Sequence, residues 1–146
     1  MKTLILLLCT IAIGKIGHAQ NATEEQAVKE AVLDYVEGFY EGDTLKIKRS
    51  ILPQVNKYGY YQPKDSKIYA GESMSFKEMI QYAAKVKSKN RPAPKTAPKE
   101  VKIFDVLDQT ASAKLTARWG TDYLLLAKYD GKWMIVQVLW QSVPRT

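Results

Sequence analysis

Histidine and cysteine are almost missing from this sequence of 146 residues: each occurs once, as His18 and Cys9. Both fall in an opening stretch that reads as an export signal. Met1 and Lys2 begin it, an apolar run from Leu4 to Ile13 follows, broken only by Thr10, and Gly14 to Gln20 is short and more polar. A positive start, an apolar stretch and small residues before a cut are the parts of a secretory signal. Gly17 and Ala19 occupy the positions a signal peptidase reads, so cleavage is expected after Ala19, leaving residues 20–146 as one domain. The apolar run is about half the roughly 20 residues a spanning helix needs, so a membrane anchor fits less well. Lipidation at Cys9 also fits less well, because Leu7 and Leu8 stand where small residues are normal.

The expected mature chain, periplasmic or extracellular, then has neither histidine nor cysteine. That excludes Ser-His-Asp and Cys-His relays, the usual zinc and copper ligand sets and any disulfide. No metal or cofactor is expected. Acid–base work is left to Asp, Glu, Lys, Tyr and Arg. Acidic residues are also in deficit, 15 against 22 lysines and arginines, for a net charge of +7. The excess is local: Lys85, Lys87, Lys89, Arg91, Lys95, Lys99 and Lys102 face only Glu100. This cluster reads as a solvated helix end and loop, with an anion-attracting patch as the sharper alternative. Nucleic acid is not expected as a partner, since no aromatics interleave the cluster.

Periodicity is what the sequence does have. Thr23 with Gln26 forms a capping-box pattern, and Val28, Ala31, Val32, Tyr35, Val36, Phe39 and Tyr40 recur at helical spacing. Gly42 suits the helix end, and Asp43 can cap a second, short helix to about Ser50, before Pro53. Residues 54–62 suit a strand, Lys64 to Lys67 a turn and Ile68 to Glu72 a returning strand. Ser75 and Glu78 make a second capping box opening a third helix, and Lys89 to Pro98, with three prolines, is a loop. Four β-type runs follow at 101–107, 111–119, 123–129 and 133–140, the last two joined by the hairpin signal Asp130-Gly131. The expected class is α+β, three N-terminal helices on an antiparallel sheet.

The element order, with the phrases Tyr35-Val36-Glu37-Gly38-Phe39-Tyr40-Glu41-Gly42-Asp43 and Leu124 through Val136, resembles the nuclear-transport-factor-two-like superfamily. Within it, the chain is most similar to the exported bacterial group of putative lumazine-binding proteins, over roughly Glu24 to Gln141. The resemblance implies a cone, a curved antiparallel sheet wrapped around the first helix, and a homodimer formed through the outer sheet face. Some members are enzymes and many only bind, so the fold alone does not settle the function.

Steroid isomerases of this superfamily use a helix tyrosine and a neutral aspartic acid on a late strand as an oxyanion-binding pair. Tyr35 and Asp122 resemble that pair. The isomerases' basic aspartate has no counterpart in Val55-Asn56-Lys57-Tyr58-Gly59-Tyr60-Tyr61, and no carboxylate stands between Asp43 and Asp65. An oxyanion pair without a base has nothing to generate the anion. Asp122 could equally be a turn residue, and Asp105 and Asp108 read as solvated. If the cone holds a cavity, its expected lining is Tyr35, Phe39, Tyr58, Tyr60, Trp119, Asp122 and Trp140, which would suit a small apolar or aromatic ligand. The alternatives are a proton-transfer or cyclase-type enzyme using Tyr35 and Asp122, and an interaction module with a filled core.

Overall fold

A computed structural model describes residues 9–145. Residues 1–8 of the expected signal lie outside the described residues, as do the side chains of residues 9–21. Three helices, α1 (Cys9–Glu41), α2 (Thr44–Ser50) and α3 (Phe76–Ser88), accompany six strands. The strands are β1 (Ile51–Tyr61), β2 (Ala70–Ser73), β3 (Lys99–Val106), β4 (Thr110–Ala117), β5 (Gly120–Tyr129) and β6 (Lys132–Ser142). Their order in the single sheet is β2-β1-β6-β5-β4-β3. Among the described residues no helix is long and apolar enough to cross a membrane.

Helix α1 runs back past Thr23, so the expected start is not a helix end in the full chain. No proline interrupts residues 9–41, and nothing there forces a break. The helix ends as expected. Gly42 takes φ +73°, and the Asp43 N–H reaches Gly38 O at 3.0 Å, closing a Schellman-type end. A side chain at Gly42 would also collide with the backbone of α3 at Ala83 and Lys87. The Asp43 carboxylate accepts from the Leu45 and Lys46 amides and caps α2. The Ser75 hydroxyl accepts from the Glu78 amide, and Glu78 accepts from the Ser75 amide, the reciprocal capping box.

The sheet is mixed rather than wholly antiparallel as expected, because β1 pairs with β6 in parallel. Strands joined by tight turns must be antiparallel. β1 is separated from β6 by about half of the chain, so hairpin chemistry has no say in its direction. The meander β3–β6 agrees with the sequence reading, and Asp130 and Gly131 both have positive φ, as a two-residue hairpin turn requires. The α1 stripe Val28, Val32, Tyr35 and Val36 is fully buried against Ile47, Leu115, Leu124, Leu126 and Ile135. At about 1.5–3 kcal/mol per large buried side chain, this stripe fixes which way α1 faces. Trp133 donates to Glu24 at 2.7 Å, and Lys128 pairs with the same carboxylate, tying α1 to the far end of the sheet.

Candidate functional site

Two rows on the helix-covered face of the sheet build the site. In the first, Gly59 on β1 lies opposite Trp140 on β6, Trp140 opposite Asp122 on β5, and Asp122 opposite Leu115 on β4. In the second, Lys57 lies opposite Val138 and Val138 opposite Leu124. Gly59 is what allows Trp140 to lie flat across its neighbour: a Cβ there would stand 2.2 Å from the indole.

Asp122 lies within β5, not in a turn, and is fully buried. One carboxylate oxygen accepts from the Tyr35 hydroxyl and the other from the Trp119 indole N–H, each at 2.8 Å. The Tyr35 oxygen in turn accepts from the Lys57 ammonium at 2.5 Å. Lys57 is only 7% exposed, and its Nζ lies 4.0 Å from Asp122. The result is a linear chain, Lys57 to Tyr35 to Asp122, with Trp119 fixing the far oxygen. Burial, reinforced by the Asp122 charge, holds the Tyr35 phenol well above its ordinary pKa. Burial pulls the Lys57 ammonium below its ordinary value, while Asp122 and Glu72 oppose that shift. Rings surround the ammonium: Nζ is 5.2 Å from the Tyr35 centroid, 5.7 Å from Phe39 and 5.8 Å from Trp140, distances at which cation–π attraction offsets part of the lost hydration.

A cavity of about 270 Å³ opens beside this chain, lined by Phe39, Lys57, Glu72, Met74, Tyr82, Trp119 and Trp140. Small-molecule sites commonly run from ~300 to 1,000 Å³, so this one suits a compact bicyclic molecule better than a steroid. The Trp140 indole N–H is buried and has no hydrogen-bond partner among the described residues. Edge-to-face ring contacts among Tyr35, Phe39, Tyr40, Tyr82 and Trp119 stiffen the wall.

Of the residues expected to line a cavity, Phe39, Trp119 and Trp140 do so, and Tyr35 and Asp122 meet directly behind Lys57. Tyr58 and Tyr60 do not. They are 41% and 45% exposed on the opposite face of β1, because the alternation of that strand turns Lys57 and Gly59 inward. The sequence reading missed Lys57, and the same alternation was the signal that could have found it. Tyr35 and Asp122 bond to each other, not to a shared point in the cavity, so neither is set up as an oxyanion donor. Asp105 and Asp108 are exposed, as are all seven basic residues between 85 and 102. No cluster of metal-ligating side chains occurs among the described residues.

The sequence matches the family described as Putative lumazine-binding over residues 23–141. The chain belongs to that family. No curated protein matches it. Solved structures of the same fold include an NTF2-like protein of unknown function from Shewanella baltica, 20% identical with a TM-score of 0.65, covering 85% of this chain and 97% of that one. Another, from Silicibacter pomeroyi, is 17% identical with a TM-score of 0.62, covering 86% and 98%. A third, from Methylobacillus flagellatus, is 20% identical with a TM-score of 0.60, covering 83% and 93%. These likenesses show the NTF2-like fold of this family member and nothing of its ligand.

Proposed function

We propose that this family member is an exported protein that binds a small, flat, conjugated molecule in the cavity beside Lys57, and that it pairs with a second copy through the outer sheet face. The observation that carries the binding reading is the unmet hydrogen-bonding capacity in an apolar cavity. Among the described residues the Trp140 N–H has no hydrogen-bond partner, and the Lys57 ammonium donates a hydrogen bond to Tyr35 alone. A ligand carbonyl or ring nitrogen in the cavity would give the Lys57 ammonium a second, charge-assisted hydrogen bond. The aromatic walls stack on such a ring system. Lumazine, a bicyclic molecule with two carbonyl groups, has the right chemistry, and the family's description makes it the first compound to test.

The reading as a catalyst built on Tyr35 and Asp122 is the weaker one. The Tyr35 proton is committed to Asp122, and neither group donates to the cavity.

The test is titration of tryptophan fluorescence with lumazine and other flat heterocycles. Trp119 and Trp140 both line the cavity, so saturable quenching is expected. It should be lost in Lys57→Met and unchanged in Tyr58→Ser, whose side chain is on the other face. Equal quenching in wild type and Lys57→Met would place the binding elsewhere.

A further inference from the structure

We propose that Lys57 is a nucleophile that forms an imine with an aldehyde or ketone bound in the cavity; this rests on the reading of the cavity as a ligand site. Three features of the geometry carry it. Lys57 lines the cavity, and its Nζ is flanked by the rings of Tyr35, Phe39 and Trp140. The Tyr35 oxygen 2.5 Å away and the Asp122 carboxylate 2.8 Å beyond it form a route by which the ammonium can shed its proton. The walls beside it are mostly aromatic and apolar, with Phe39, Met74, Tyr82, Trp119 and Trp140, and seat a flat carbonyl compound. Burial already favours the uncharged amine, the condition under which a lysine attacks a carbonyl.

The step balances without an oxidant or reductant. Lys57 gives a proton to the Tyr35 oxygen as Tyr35 passes its own to Asp122. The freed lone pair on Nζ attacks the carbonyl carbon, and the C=O π pair moves to oxygen, giving a carbinolamine. Loss of that oxygen with the two remaining nitrogen hydrogens, as one water, leaves a neutral C=N bond. The proton parked on Asp122 can return through Tyr35 to make the iminium. Asp122 from β5, Tyr35 from α1 and Glu72 from β2 are the titratable groups that face or act on Lys57. Tyr35 and Asp122 act through Lys57 as proton-positioning residues.

The proposal is tested with 2-naphthaldehyde as probe, one equivalent per chain, and sodium cyanoborohydride to fix any imine as an amine. Peptide mapping is expected to find a single adduct on Lys57, although many exposed lysines compete. Excess 2-naphthalenemethanol, the same shape without the carbonyl, should suppress the adduct by occupying the cavity. Lys57→Arg keeps the charge but cannot form the imine, and should lose the adduct. Should that variant fail to fold, wild-type mapping and alcohol competition still decide. Saturable tryptophan quenching by the aldehyde with adducts only on exposed lysines would overturn the imine and leave the binding site standing. Neither quenching nor a Lys57 adduct would overturn both.

Discussion

Moving a lysine ammonium out of water costs several kcal/mol unless its surroundings replace the lost hydration. At position 57 the replacement is partial: one hydroxyl at 2.5 Å, a carboxylate at 4.0 Å and three ring faces. The folded pKa therefore lies below the ordinary value of about 10.4. Between the two values the unfolded chain binds more protons than the folded one, so raising the pH stabilises the fold in that window. Relative to Lys57→Met, the wild-type protein should gain stability in urea as pH rises toward the ordinary lysine value of about 10.4. A constant difference between the two proteins across that window would mean that Lys57 titrates as an exposed lysine does.

At the scale of the element, strand β1 decides the site by which of its residues face inward. Val55, Tyr58, Tyr60 and Tyr61 after Pro53 favour a strand, but strand propensity cannot tell one face from the other. Burial went to Lys57 and Gly59, and Tyr58 and Tyr60 went outside. Strand β6 adds a second complication. The register slips so that Leu126 faces Ile135 while Leu125 faces Gln137, leaving Val136 as the extra residue. That bulge brings both Trp133 and Trp140 to the inner face, although simple alternation separates them. Gly59 then supplies the space for the Trp140 ring. Gly59→Ala should cost about 1–3 kcal/mol by overpacking and change the near-ultraviolet circular dichroism of the tryptophans. A variant as stable as wild type with an unchanged spectrum would show that the indole does not rest on Gly59.

For the whole molecule, the outer sheet face is the conspicuous surface. Tyr58, Tyr60, Phe104, Tyr123, Leu125 and Leu139 are each between 41% and 54% exposed, and Leu139 lies opposite both Tyr58 and Tyr123 in the sheet. An aromatic patch of this kind marks a contact surface more often than a wet one, which supports the proposed pairing of two copies. Expressed from the full sequence in a bacterial host, the recovered protein is expected to begin at Gln20 by intact mass and to sediment as a pair. Leu125→Glu should convert it to single chains without loss of helix signal. A wild-type protein that sediments as a single chain at all concentrations would remove the pairing, and an intact Met1 would remove the export.

The sequence by itself determined the order of elements, the α+β class, the caps at Asp43 and Ser75, the Asp130-Gly131 hairpin and the buried stripe of α1. These follow from interactions a few residues apart or from a fixed period, which the chain carries locally. It also marked Tyr35 and Asp122 by resemblance to a family pattern. Only the tertiary structure decided that β1 runs parallel to β6, that Tyr35 and Asp122 bond to each other, and that Lys57 completes the chain beside the cavity. Strand direction, face and register are set by partners more than 20 residues away, and no local propensity carries that information. A lysine between Asn56 and Tyr58 looks like surface until the neighbouring strand and helix close over it.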